Sequence, residues 1–205
     1  MRGRVDGMLV MSPFVDSSAL AQDLGDGQHA VLINTHLTGV GLGTLAIDNH
    51  GGARAMVQHL AKQGFRRIAF VAGPQDNFDA DQRLRGYRDA LAEFLPGAEP
   101  IVLEGAFDES SGNAAGHAIL AMAQRPDAVF AANDMMALGC LFAFHQAGLR
   151  VPDDIAVAGF RPEELEIEVK ENLLTVTGRK TANDEPRRFL HRGLAERNFE
   201  RRFQL

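Results

Sequence analysis

Short apolar runs alternate with longer amphipathic segments over the first 160 residues of the chain. Each run is bounded by turn residues and has the length of a buried strand. The runs cover residues 5–11, 30–33, 44–47, 68–72, 101–103, 128–131 and 155–158. Because helical patterns separate the later runs, we predict an α/β fold whose parallel strands are joined by right-handed helical crossovers.

The helical patterns have recognisable ends. Asn49 is a candidate N-cap, and Gly64 ends the first helix, whose apolar positions at helical spacing are Ala53, Met56, Val57, Leu60 and Ala61. Pro96 stops the second helix. The third and fourth helices are predicted at about residues 113–123 and 135–147.

The last 45 residues follow a different pattern. Residues 165–169 alternate apolar and acidic side chains, and a second apolar run, 173–178, follows Glu171 and Asn172. This spacing predicts an antiparallel hairpin with one exposed face. Residues 1–160 hold 11 Lys or Arg and 18 Asp or Glu, whereas residues 161–205 hold 10 and 9. The charge density therefore more than doubles near residue 160.

The net charge of −6 gives the chain no positive field that would attract nucleic acid phosphates. Cys140 is the only cysteine, so the chain has no internal disulfide. The sequence has no apolar run long enough to span a membrane and no pattern of a signal peptide. We expect a cytoplasmic protein.

Polar residues follow several of the predicted strands, at the edge of the sheet where ligands of such folds bind. Asn34, Asp48, Asn133 and Asp134 come directly after apolar runs, and the loop after residue 71 leads to Arg83. The alternative readings are simpler. Asn49 and Asp134 are also good helix caps, and Arg83 also fits a solvated surface charge.

Several motifs in order resemble the effector-binding domain of LacI/GalR-type transcriptional regulators. They span residues 5–10, 47–54, 64–74, 83–87, 132–139 and 148–160. The resemblance covers about residues 3–160. It implies a periplasmic-binding-protein-like fold, a parallel sheet with helices on both faces, in which two subdomains close on a sugar, a nucleobase or a similar metabolite.

The resemblance also implies which residues contact the effector. Arg83 matches the ligand-clamping arginine, Asn133 a polar contact at a helix start, Phe107 a stacking aromatic, and Asn34 a contact in the first subdomain. Phe107 fits an ordinary core position equally well. Asp48 is expected to orient the hinge strand without touching the ligand.

The sequence departs from the family pattern at both ends. The DNA-binding headpiece and the first part of the effector domain are expected to be missing, so this chain would not bind DNA directly. After residue 160 the family has an acidic residue that bonds the ligand, whereas this chain has Arg161. Residues 1–48 are therefore predicted to be a partial first subdomain, and residues 49–160 the second.

Residues 155–205 are similar to the α-crystallin domain of bacterial small heat-shock proteins, and residues 155–160 satisfy both families. In that family the segment around residues 189–194 is exchanged between dimer partners. We therefore interpret the chain as a chimera in which residues 161–205 form a partial α-crystallin-like β segment. Self-association through this segment and unfolded-protein holding, as an alternative function, are implied.

Other chemistry finds little support. The glycines of residues 39–43 lack the spacing of a dinucleotide-binding turn and precede a strand. No metal-ligand spacing with a cysteine pair connects His36, His50, His59, His117, His145 and His191. Cys140 lies in an apolar helix, where a thiol stays protonated. We predict no catalytic residue, no metal and no cofactor, and hence no enzyme.

Overall fold

The computed structural model describes residues 6–12, 29–35, 42–158, 165–170, 173–178 and 199–204, the last three ranges as backbone. The chain divides into two compact units, Met1–Ala158 and Gly159–Leu205. The predictions on Arg161, on the glycine loop that begins at residue 39 and on the exchanged segment at residues 189–194 lie outside the described residues.

The first unit contains a three-stranded parallel sheet in the order β1-β2-β3. These strands are β1 (Met8–Met11), β2 (Ala30–Ile33) and β3 (Gly43–Leu45). Leu32 and Ala30 form a small core on one face, against which Met8, Val10 and Leu42 pack. The sequence predicts the third strand at residues 44–47. In the structure it begins one residue earlier and ends two residues earlier.

A second sheet of the same unit has four parallel strands in the order β5-β4-β6-β7. They are β4 (Ile68–Val71), β5 (Ile101–Leu103), β6 (Ala128–Ala131) and β7 (Ala156–Val157). All four side chains of β4 are buried. The parallel α/β prediction for this region is therefore confirmed.

Strand order in the second sheet creates a switch point. The chain passes from β4 to β5 on one side, and then crosses to β6 on the other side of β4. Connections leaving β4 and β6 therefore diverge, and open α/β sheets bind their ligands beyond the carboxyl ends of the strands at such a point. Polar residues that follow these two strands consequently face the same place.

Four helices accompany this sheet, each capped by a side chain that accepts a hydrogen bond from a backbone N–H three residues later. They are α1 (Asn49–Lys62), α2 (Phe78–Phe94), α3 (Glu109–Leu120) and α4 (Asp134–Gln146), capped by Asp48, Asn77, Asp108 and Asn133. Caps of this kind satisfy N–H groups that have no partner within the helix.

The caps correct three sequence predictions by a few residues. Asp48 caps α1, so Asn49 is the first residue inside the helix and not its cap. Asn133, not Asp134, caps α4. Helix α3 begins at Glu109, four residues before the predicted start, because Asp108 accepts from the N–H of Ser111 at 2.7 Å.

An aromatic cluster lies at the centre of the second sheet. Phe70 on β4 stacks on Tyr87 of α2, with ring centroids 5.0 Å apart, and meets Phe130 of β6 edge-on at 5.1 Å. The Tyr87 hydroxyl donates to the Ile68 carbonyl oxygen and accepts from the Ile101 N–H. Tyr87 thereby ties α2 to two neighbouring strands.

Cys140 is fully buried in α4, where its Sγ donates to the carbonyl oxygen of Gly112 at 3.2 Å. Burial raises the pKa of this thiol from 9.0 to about 12. The thiol is thus protonated at neutral pH, as its apolar helix predicted.

Stability should fall with rising pH because of Cys140. The unfolded thiol ionises above pH 9 while the folded thiol keeps its proton until about pH 12, so the free energy of unfolding decreases across this window. The decrease is at most about 1.4 kcal/mol per pH unit. Urea unfolding at pH 8, 9.5 and 10.5 should show a steeper loss in the wild type than in Cys140→Ala. Equal slopes would contradict the assignment.

The second unit holds a three-stranded antiparallel sheet in the order β10-β9-β8. Its strands are β8 (Leu165–Lys170), β9 (Leu173–Gly178) and β10 (Phe199–Gln204). Strand β8 pairs with β9 from Leu165 opposite Gly178 to Lys170 opposite Leu173. The two turn residues, 171 and 172, lie outside the described part.

Candidate functional site

Arg83 lies at the switch point of the second sheet, on the second turn of α2. Its Nε donates to Asn49 Oδ1 at 2.8 Å, and its Nη1 donates to the carbonyl oxygen of Ala132. Ala132 directly follows β6, and Asn49 opens α1. The guanidinium therefore joins three elements at the carboxyl edge of the sheet, and the reading of Arg83 as a merely solvated charge is wrong.

Phe107 and Asn133 lie beside Arg83. The Arg83 guanidinium carbon is 5.9 Å from the centroid of the Phe107 ring, within the range of a cation–π contact. Asn133 caps α4 through its Oδ1 and donates from its Nδ2 to the Phe107 carbonyl oxygen at 2.8 Å. Phe107 itself is only partly buried. The structure thus brings together three of the four residues predicted for the site.

The position of Phe107 depends on an uncommon backbone conformation and on a neighbouring glycine. Its backbone has a φ of 64°, in the left-handed region that is uncommon for an aromatic residue. Its ring passes close to Gly73, where an added Cβ would stand 2.3 Å from the Phe107 Cε1 atom. Gly73 follows β4 after one residue, so the space for this ring exists because that position carries no side chain.

Asn34 serves a different set of contacts. At the end of β2 it has a φ of 46°, its N–H donates to the Leu45 carbonyl oxygen at 2.9 Å, and its Oδ1 accepts from the Ile47 N–H at 3.1 Å. These bonds tie β2 to the segment that leads into α1. The described hydrogen bonds of Asn34 therefore hold backbone, and Asp48, expected to orient this segment, caps α1.

Arg83 differs from its neighbours in its electrostatic partners. Ionisable side chains of α1 and α2 form the pairs His50–Asp89, Arg54–Glu93 and Arg85–Asp81. Arg83 bonds two neutral oxygens, and in the described ranges no carboxylate forms an ion pair with it. A partly buried guanidinium with spare N–H donors can bind paired hydroxyls or a carboxylate of a ligand.

Sequence reasoning missed two residues of this cluster. The sequence predicts Asn49 only as a cap, yet its Nδ2 donates to Asp79 Oδ1 at 2.9 Å while its Oδ1 accepts from Arg83. Asp79 and Arg83 are four residues apart in α2 and thus share one helix face. That spacing was the signal in the sequence that could have indicated Asp79.

Among the described residues, no three His, Cys, Asp or Glu side chains are grouped so that they could hold a metal ion. In the same part of the chain, no helix combines the length and apolar character needed to cross a membrane.

A parallel sheet with a polar cluster at its carboxyl edge defines a class of α/β domains that bind small molecules. Within this class, the model of the periplasmic binding protein-like domain family matches residues 57–177, more than half of the chain. The chain belongs to this family.

Its relatives are transcriptional regulators. The chain is 47% identical over 115 residues to the HTH-type transcriptional regulator CelR of Thermobifida fusca, which covers 56% of this chain and 34% of that protein. It is 32% identical over 177 residues to the regulator GalR of Salmonella typhimurium, covering 86% of this chain and 52% of GalR. The chain thus spans about half or less of the length of these curated relatives.

A solved structure of the CelR–cellobiose complex resembles this fold closely. The two superpose with a TM-score of 0.67 at 40% identity, over 78% of this chain and 50% of that one. A second family model, Hsp20/alpha crystallin, matches residues 151–205 and overlaps the first match over residues 151–177.

Proposed function

We propose that this chain contains the effector-binding domain of a LacI/GalR-like transcriptional regulator, with residues 1–48 as part of the first subdomain and 49–160 as the second. The convergence of Arg83, Phe107 and Asn133 at the switch point carries this proposal. Asn34 would contribute from the first subdomain. Such a domain senses a metabolite and needs no catalytic residue or cofactor.

The proposed effector is a sugar or a nucleobase-like metabolite. Arg83 would donate paired hydrogen bonds to vicinal hydroxyls, and the Phe107 ring offers an apolar surface to the face of a sugar or base. A relative is known in complex with cellobiose, which makes that disaccharide the first probe. Binding should be weak, because Arg161 replaces an expected acceptor and an unpaired ligand group costs about 1–3 kcal/mol.

Titration calorimetry with cellobiose and a panel of other sugars and nucleosides tests the proposal. Arg83→Ala should weaken the binding of the selected effector by about 10- to 150-fold, the effect of losing a charged hydrogen bond. Arg85→Ala is the matched control, since Arg85 is exposed and pairs with Asp81 on the same helix. Binding that survives Arg83→Ala, or that falls equally in both variants, would show that Arg83 does not bind the effector.

A second activity is proposed for residues 161–205, as a partial α-crystallin-like segment that holds unfolded proteins, the whole chain being a chimera joined within residues 155–160. The Hsp20 match at residues 151–205 and the antiparallel strands β8, β9 and β10 support it. The negative charge of residues 1–160 supports the further proposal that this chain does not bind DNA directly.

The full chain should suppress the heat-induced aggregation of citrate synthase if this second proposal holds. It should also self-associate in sedimentation experiments at micromolar concentrations, because burying the apolar faces of the strands of residues 161–205 against a second copy is favourable. A chain ended at residue 160 is the comparison for both measurements. Equal sedimentation and equal lack of protection in the two chains would refute the second activity.

A further inference from the structure

The Asn49 side chain accepts one hydrogen bond and donates two, the longer of which, at 3.5 Å, reaches the Ile47 carbonyl oxygen. Its Oδ1 accepts from Arg83 Nε at 2.8 Å, and its Nδ2 donates to Asp79 Oδ1 at 2.9 Å. The residue is 7% exposed, so water has little access to either bond. Both ends of a buried amide are therefore satisfied within the protein.

The chemistry of the two partners allows one orientation of this amide. A guanidinium has only donors and an ionised carboxylate has only acceptors, so the amide oxygen must face Arg83 and the amide nitrogen must face Asp79. Rotation of the amide by 180° would place two donors against each other and two acceptors against each other. Asp79, with the Ile47 carbonyl oxygen as a second and more distant acceptor, thus fixes which end of Asn49 is offered to Arg83.

Capping of α1 does not require the Asn49 side chain. Asp48 performs that role, accepting from the Gly51 N–H at 2.7 Å. Asn49 is the first residue of the helix, and its side-chain oxygen accepts from Arg83 instead of capping α1. Its contacts with Arg83 and Asp79 give this position a role that helix formation alone does not.

The bonds to Asn49 and Ala132 determine the direction of the Arg83 guanidinium. The first holds Nε and the second holds Nη1, which fixes the plane of the group. The N–H donors that remain, on Nη2 and on Nη1, are left for a ligand. Without Asn49 only one of the two bonds remains, and the guanidinium can turn about it.

We propose that Asn49 is the positioning residue of the effector site: it holds Arg83 in its binding orientation, and Asp79 sets the orientation of the Asn49 amide. This inference rests on the proposed function of Arg83. It adds a second layer to the site, because Asn49 acts on the effector only through Arg83. Because the Arg83 side chain is already ordered before the effector binds, less conformational entropy is lost on binding and the affinity is higher.

Solvent exchange of the Arg83 Nε proton tests the positioning without any ligand. In ¹⁵N-labelled full-length protein, the Arg83 Nε–H signal is assigned by its loss in Arg83→Lys. Asn49→Ala should speed its exchange by about tenfold, since one buried hydrogen bond is removed. Asp81→Asn is the control, since it removes the exposed pair with Arg85, and it should leave the exchange within about twofold of the wild type. Unchanged exchange in Asn49→Ala would overturn the proposal.

A double variant that exchanges the residues at positions 49 and 79 keeps the proposal testable if Asn49→Ala does not fold. In the double variant Asn49→Asp with Asp79→Asn, the new carboxylate accepts from Arg83 and the new amide donates to that carboxylate. The net charge is preserved, and the carboxylate and the amide still pair, although the hydrogen bond between positions 49 and 79 now runs in the opposite direction. Protection of the Arg83 Nε–H should therefore persist in this variant, and its loss in a folded protein would count against the proposal.

Effector affinity supplies the second readout, with the sugar that calorimetry selects, cellobiose first. Asn49→Ala should weaken binding about tenfold, and should weaken it no further in the Arg83→Ala background, because Asn49 acts through Arg83. Additive losses would refute the positioning role while the proposed function stands. Absence of binding by any sugar or nucleoside of the panel in the wild type would contradict the proposed function, and the exchange measurement then decides the positioning role by itself.

Discussion

Phe70→Ala is expected to lower the free energy of unfolding by about 3–5 kcal/mol, the largest effect of any single substitution considered for this fold. Phe70 is fully buried on β4, stacked on Tyr87 and in edge contact with Phe130. Removing the ring eliminates buried apolar surface and leaves a cavity between α2 and the centre of the sheet. The measurement is urea unfolding followed by circular dichroism.

Val102→Ala is the control for this substitution. Val102 lies on the neighbouring strand β5 and its side chain is 39% exposed. Its truncation removes little buried surface, so the loss should stay below about 1 kcal/mol. If Phe70→Ala cost no more than Val102→Ala, the aromatic cluster would not be the centre of the core.

Gly139→Ala should destabilise the protein by about 1–3 kcal/mol, although alanine is the better helix former. Helices α3 and α4 pack against each other at this glycine. A Cβ at position 139 would stand 2.2 Å from the Glu109 carbonyl oxygen and 2.5 Å from the Asn113 backbone nitrogen. Because both are backbone atoms, relief requires the two helices to move apart.

Gly52→Ala separates this clash from the intrinsic preference of the helix. Gly52 lies inside α1, is exposed, and has nothing within 4 Å of its added Cβ. Alanine there should raise the free energy of unfolding by about 0.5–1 kcal/mol. Opposite signs for the two substitutions in thermal unfolding are the expected result. A stabilising Gly139→Ala would mean that α3 and α4 are farther apart than described.

Element boundaries show how far local signals reach. The glycine at position 64 predicts the end of α1 from the sequence. The structure confirms it, because Gly64 has a φ of +102°, in the left-handed region that favours glycine. The cap of the same helix was not, because Asp48 and Asn49 are adjacent and both are good caps. Which of them caps depends on the backbone angles of one residue, and those angles are set by how the segment leaves β3.

The candidate site likewise combines residues that the sequence predicts with contacts that only the structure gives. The resemblance supplied Arg83, Phe107, Asn133 and Asn34, and the structure gathers the first three at one edge of the sheet. The resemblance did not identify the hydrogen-bond partners of Arg83, because the residues that contact a polar side chain are determined only when the chain is folded. The pairing of Asn49 with Asp79 joins residues 30 positions apart.

The sequence by itself determined the strand and helix pattern of residues 49–158 and the parallel sheet, because hydrophobic periodicity and helix ends are local properties. Only the tertiary structure decided the strand order β5-β4-β6-β7. Strand order depends on which long-range contacts bury the most surface, and no short segment contains that information. That order places the switch point between β4 and β6, and with it the meeting place of Arg83, Ala132 and Asn49.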